Sequence, residues 1–164
     1  MNRFYGLTIK LTEYLAIVLL VLTSGIMVVQ VFFRYVLNSS IGWSDEIMGF
    51  LLVWTTFTGA VLAMHDKSHI GIDLLLRLFP ARSRWTVDLL VNLLTLIFLL
   101  IFTYFSTFLC VKLFNNYAIS IRISMSVIYS ILPLSGFLMI VVIIRRVSQI
   151  INEVYKKSGW EKEL

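Results

Sequence analysis

Apolar residues in this chain do not alternate. They gather into four long runs, each closed by charge. The first is Tyr14 to Phe33, ended by Arg34, and the second is Ile47 to Met64, ended by His65-Asp66-Lys67. The third is Leu89 to Val111, between Asp88 and Lys112, and the fourth is Val127 to Ile144, closed by Arg145-Arg146. A bilayer core of roughly 30 Å is crossed by about 20 helical residues, so each run is long enough to span. Backbone groups in hydrocarbon must bond within their own segment, which selects helices. A membrane β-barrel would show alternation instead. The pattern therefore predicts an all-α integral membrane protein of four transmembrane helices, with 1–164 as a single membrane domain.

Composition agrees. The chain is 59% hydrophobic and 14% charged, against about a quarter charged in soluble domains. A soluble chain of this size would leave much of that apolar surface in water. The one cysteine, Cys110, lies inside an apolar run, where it reads as a small buried hydrophobe. The start is basic and then apolar, as a signal peptide is. Its apolar run is too long, however, and no small-x-small cleavage site follows. A retained first helix is expected.

Lys and Arg set the orientation. With both termini in the cytoplasm, the inner segments carry eleven Lys and Arg and the outer loops three. That bias predicts N-in, C-in. The net charge of +5 flanks the spans, so it points to membrane lipid rather than nucleic acid. Residues about 70–80, ended by Pro80, are too short to span. They are expected to form a short interfacial amphipathic helix between spans 2 and 3. Trp43, Trp85, Tyr117 and Tyr129 fall near span ends, as aromatic belts do.

Polar residues near the membrane are few. Trp43-Ser44-Asp45-Glu46 precedes the second span; it reads either as a helix cap on Ser44 with an aromatic anchor, or as a partner-binding patch. Arg34 either snorkels to lipid phosphate or pairs with Asp45 or Glu46, and the short loop favours the pair. Gln30 and Asn92 are expected to bond between helices. Ser24-Gly25 and Gly59-Ala60 offer surfaces for close helix contact, and Pro133 with Gly136 is expected to bend the fourth span. Trp54, mid-span, reads as packing. His65 and His69 would share one helical face, which cannot supply both axial ligands of a haem. A zinc site would need further ligands that the sequence does not offer. No acid, base or histidine lies mid-span, which argues against an autonomous proton or ion cycle.

One stretch carries a resemblance: residues 30–73, QVFFRYVLNSSIGWSDEIMGFLLVWTTFTGAVLAMHDKSHIGID. Arg34-Tyr35, Trp43 with Glu46, Trp54, Gly59-Ala60, and His69 with Asp73 occur there in order. This resembles the small (DctQ/SiaQ-like) membrane subunit of tripartite ATP-independent periplasmic (TRAP) transporters. Gly49 stands where the family pattern has an arginine. The resemblance implies a large membrane subunit of a dozen or so helices, which holds the sodium and substrate sites. It also implies a periplasmic binding protein that delivers a carboxylate such as a C4-dicarboxylate or sialic acid. This chain would be the fixed scaffold in the bacterial inner membrane, with no cofactor or catalysis of its own. Arg34, Trp43, Glu46, Trp54, His69 and Asp73 become candidates for structure and subunit contact. Two other readings stay open: a haem- or quinone-associated anchor of a respiratory complex, and a small autonomous exporter.

Overall fold

The computed structural model describes residues 2–39, 41–66 and 84–160. Among the described residues five helices form: α1 (Asn2–Tyr35), α2 (Gly42–His65), α3 (Arg84–Lys112), α4 (Met125–Tyr129) and α5 (Ile131–Trp160). α4 and α5 are consecutive pieces of the fourth span. Among the described residues four helical stretches are long and apolar enough to cross a membrane: Tyr5–Tyr35, Gly42–His65, Trp85–Lys112 and Met125–Ile151. Each helix runs beyond the apolar run that announced it, because helical hydrogen bonding continues through the charged flanks where the bilayer ends. The expected interfacial segment at 70–80, with His69 and Asp73, lies outside the described residues.

The backbones pack in the order α1, α2, α5, α3. Among the described helices the backbone of α1 packs against α2, and α5 sits between α2 and α3. Val61 of α2, Leu99 of α3 and Met139 and Ile143 of α5 form the buried centre, with Ala60, Met64, Leu96, Leu138, Ile140 and Val147 packed around it. Phe57 and Phe102 stack at 5.8 Å and bring α2 and α3 side chains together. Most of the remaining apolar surface faces outward, which is the expected state of a lipid-facing body.

α3 and α5 approach closely at Gly136. A Cβ there would collide with Thr103 Oγ1 and sit 3.3 Å from Phe102 Cδ1. Gly136 therefore serves contact rather than bending. Gly25 and Gly59, expected at close contacts, have nothing within 4 Å of where a Cβ would stand. The helical hydrogen bonding of the fourth span is interrupted at Ser130, three residues before Pro133, although Ser130 keeps helical angles (φ −59°, ψ −22°). Proline lacks an N–H, and its ring crowds the carbonyl four residues earlier, here Tyr129.

α1 ends in a tight reversal. Asn38 adopts φ 48°, a left-handed conformation that asparagine tolerates. The Ser39 N–H reaches back to the Phe33 carbonyl at 3.2 Å.

Candidate functional site

Buried polar side chains are mostly satisfied along their own helices. Thr12 bonds the Thr8 carbonyl at 2.9 Å, Thr58 the Trp54 carbonyl at 2.6 Å, and Ser135 the Leu132 carbonyl at 2.9 Å. Such back-bonding hides a hydroxyl in lipid without a partner helix. The polar contacts that cross between elements are fewer; apart from one made by Trp54, they cluster at the two ends of the bundle.

At the end away from the termini, Gln30 of α1 donates its amide to Asp45 Oδ1 in the first turn of α2. Glu46 spreads its carboxylate over the 113–124 connection: Ile119 N–H meets Oε1 at 3.0 Å and Ser120 N–H meets Oε2 at 2.8 Å. That connection is ordered by its own bonds. Ala118 N–H bonds the Ile123 carbonyl at 2.9 Å, and Met125 N–H the Asn116 carbonyl at 2.7 Å. Ser124 caps α4, accepting from Ser126 N–H at 3.3 Å while donating to the Phe114 carbonyl at 2.8 Å. Ala118 is buried beneath, and Ile119 is 94% exposed at the tip.

The expected Arg34 pair does not form. Arg34 is exposed in the last turn of α1, where a cation suits the helix dipole. Among the described residues it forms no ion pair, since Asp45 is held by Gln30, one turn earlier, and Glu46 by the 113–124 backbone. Ser44 is not the cap either. α2 starts at Gly42 with Ile41 as its N-cap, and the buried Ser44 hydroxyl donates back to the Ile41 carbonyl at 2.7 Å. Trp43 is exposed and borders an apolar cleft between α1 and α2 with Gly25, Ile26, Val29 and Ile41.

Trp54 does more than fill space. Its Nε1–H donates to the Ile128 carbonyl at 2.8 Å. That carbonyl lies beside the interruption at Ser130, so α2 is bonded to the irregular point of the fourth span.

At the end that carries both termini, Arg146 of α5 approaches Asp88 of α3 at 3.5 Å. Asn92 donates to the same Asp88 carboxylate at 2.9 Å and to its carbonyl at 2.6 Å. Asn92, expected to bond between helices, thus stays on α3 and steadies a carboxylate that does cross. The Arg145 guanidinium lies 3.8 Å over the Tyr5 ring, and Tyr5 meets His65 at 5.6 Å. Sequence reading used Asp88, Arg145 and Arg146 only to mark span ends. Pattern alone does not reveal which ends meet.

No group of three or more His, Cys, Asp or Glu side chains is positioned to hold a metal ion among the described residues. Every crossing contact joins helix to helix or helix to loop. The class so defined is a small multi-pass membrane protein whose polar residues brace its own helices. Residues 23–153 match the DctQ component of the tripartite ATP-independent periplasmic transporters. The chain belongs to that family of TRAP transporter small permease subunits.

It is 30% identical over 134 residues to the sialic acid TRAP transporter permease protein SiaT of Haemophilus influenzae strain 86-028NP, covering 79% of this chain and 21% of that one. It is 32% identical over 88 residues to a putative TRAP transporter small permease protein of Haemophilus influenzae strain Rd, covering 54% of this chain and 55% of the relative. It is also 36% identical over 55 residues to the C4-dicarboxylate TRAP transporter small permease protein DctQ of Vibrio cholerae, covering 34% and 24%. The chain thus spans about a fifth to about half of the length of these relatives. The family is a transporter component, and the respiratory-anchor alternative finds no support among these relatives.

Proposed function

We propose that this chain is the fixed scaffold of a sodium-coupled importer in a bacterial inner membrane, with both termini in the cytoplasm. It holds a large membrane subunit that carries the sodium and substrate sites, while a periplasmic binding protein delivers a carboxylate of the sialic acid or C4-dicarboxylate class. The observation that carries this reading is the family match over residues 23–153. Two others support it. A segment similar to this chain makes up about a fifth of a longer chain whose name is that of a sialic acid TRAP transporter permease. The polar contacts between elements are structural braces, as expected of a component that supports transport without binding the ion. On this reading the exposed Arg34 and Trp43 are available to subunits, and Glu46 and Trp54 hold the shape they dock on. His69 and Asp73 keep their proposed contact role on the cytoplasmic side.

Reconstitution tests this. The chain, co-expressed with a candidate large subunit, is expected to co-purify with it and to be required for sodium-gradient-driven uptake when binding protein and labelled sialic acid or C4-dicarboxylate are supplied. Full uptake by the large subunit and binding protein without this chain would remove the scaffold role. Cysteine labelling from either side of oriented vesicles tests the topology; termini reached only from the periplasmic side would overturn it.

A further inference from the structure

Toward the end away from the termini, α3 and α5 leave a trough of about 450 Å³. Its walls are Phe102, Phe105, Phe108 and Leu109 of α3 with Leu132 of α5, and Lys112, the last residue of α3, stands at its mouth. Ser106 makes the recess. Its small side chain is buried among these bulky neighbours, and its hydroxyl donates to the Phe102 carbonyl. Below Lys112 the trough is therefore fitted to an apolar ligand. We propose that it seats one acyl chain of a phospholipid, with the phosphate of that lipid on the Lys112 ammonium.

Depth favours a lipid over a helix of another subunit. From Phe102 to Lys112 the helix rises about 15 Å, half of a hydrocarbon core of roughly 30 Å. Phe102 stacks on Phe57 at 5.8 Å and on Phe98 at 6.2 Å, which closes the trough at mid-membrane. An acyl chain of one leaflet ends at that depth, whereas a spanning helix runs the full thickness. Charge supports the same ligand. Lys112 Nζ lies 4.7 Å from the Phe108 ring centroid, so cation–π attraction keeps the ammonium over the trough. Among the described residues Lys112 makes no ion pair. The two acids at this end are engaged elsewhere, Asp45 by Gln30 and Glu46 by the Ile119 and Ser120 amides. A lysine at a span end lays its apolar stem along the protein and holds its charge at the headgroup level. No excess of positive charge is needed, because zwitterionic and anionic phospholipids both carry the phosphate. The apolar cleft beside Trp43 has no charged side chain in its lining, so it does not offer the same pair of contacts. The lipid seat depends on neither the transported substrate nor the large subunit.

Native mass spectrometry tests the seat on the full chain in neutral detergent, stripped of lipid. It is titrated with dioleoyl phosphatidylcholine or with dioleoylglycerol, which has the same chains and no phosphate. One phosphatidylcholine is expected to bind about tenfold more tightly than dioleoylglycerol, the size of one charge-assisted hydrogen bond. Lys112→Gln, at an exposed position, should erase that preference, and Lys112→Arg should keep it. A photoreactive p-benzoylphenylalanine in place of the exposed Phe105 gives a second readout, in membranes that also hold a co-expressed large subunit. Irradiation is expected to add the mass of one phospholipid to this chain. Equal binding of the two lipids overturns the proposal, as does a preference that survives Lys112→Gln or is lost in Lys112→Arg. So does a cross-link to protein at position 105, which would make the trough a seat for another subunit.

Discussion

Single side chains in this protein act by reaching across gaps that sequence spacing does not reveal. Glu46 is the clearest: its two oxygens hold amides more than seventy positions along the chain. Glu46→Gln keeps the size but gives up the charge, so amide exchange at Ile119 and Ser120 should quicken, and Glu46→Ala should quicken it further. Unchanged exchange in both variants would mean that the 113–124 connection holds itself. Trp54→Phe keeps most of the packing and removes the donor to the Ile128 carbonyl. The loss should be about 1 kcal/mol, seen as a lower unfolding midpoint in detergent. Arg34→Ala, by contrast, should leave the stability of the isolated chain within about 0.5 kcal/mol, because its side chain is exposed and makes no ion pair among the described residues. Residue type and the family pattern made Glu46 and Trp54 stand out in the sequence. Their partners did not, since a backbone amide and a backbone carbonyl leave no mark in the side-chain code.

Helices were legible because membrane spans need long apolar runs, and all four were found by that criterion. Their packing order was not. Small residues advertise close approach, yet three glycines with the same chemistry have different surroundings. Gly136 meets Thr103, while Gly25 and Gly59 meet nothing within 4 Å. Gly136→Ala should therefore cost about 1–3 kcal/mol as α3 and α5 are pushed apart. Gly59→Ala should be neutral or slightly stabilising in the isolated chain, since alanine favours the helix. Thermal unfolding of the two variants side by side checks the contrast, and equal effects would contradict the assigned contact. Pro133 with Gly136 was expected to bend the fourth span; the structure shows an interruption of its helical hydrogen bonding at Ser130. Its place next to the carbonyl that Trp54 reaches depends on a neighbouring helix that no local pattern names.

Across the whole molecule, polar braces sit at both ends and apolar packing fills the middle. The family resemblance in residues 30–73 covers the Gln30, Asp45, Glu46 and Trp54 contacts but not the Tyr5, Asp88, Arg145 and Arg146 cluster. The second cluster escaped notice because it is assembled from three span ends that are far apart in sequence.

The packing order also bears on how the chain is made. α2 follows α1 and is its backbone neighbour among the described helices, so that hairpin can close while synthesis continues. α3 lies chiefly against α5, which emerges last. For as long as it takes to translate the fourth span, the third helix sits in lipid without its main companion. A chain stopped before Met125 should thus hold a protected α1–α2 hairpin beside an α3 open to cleavage at its ends, and protease digestion of stalled translation products would show whether it does.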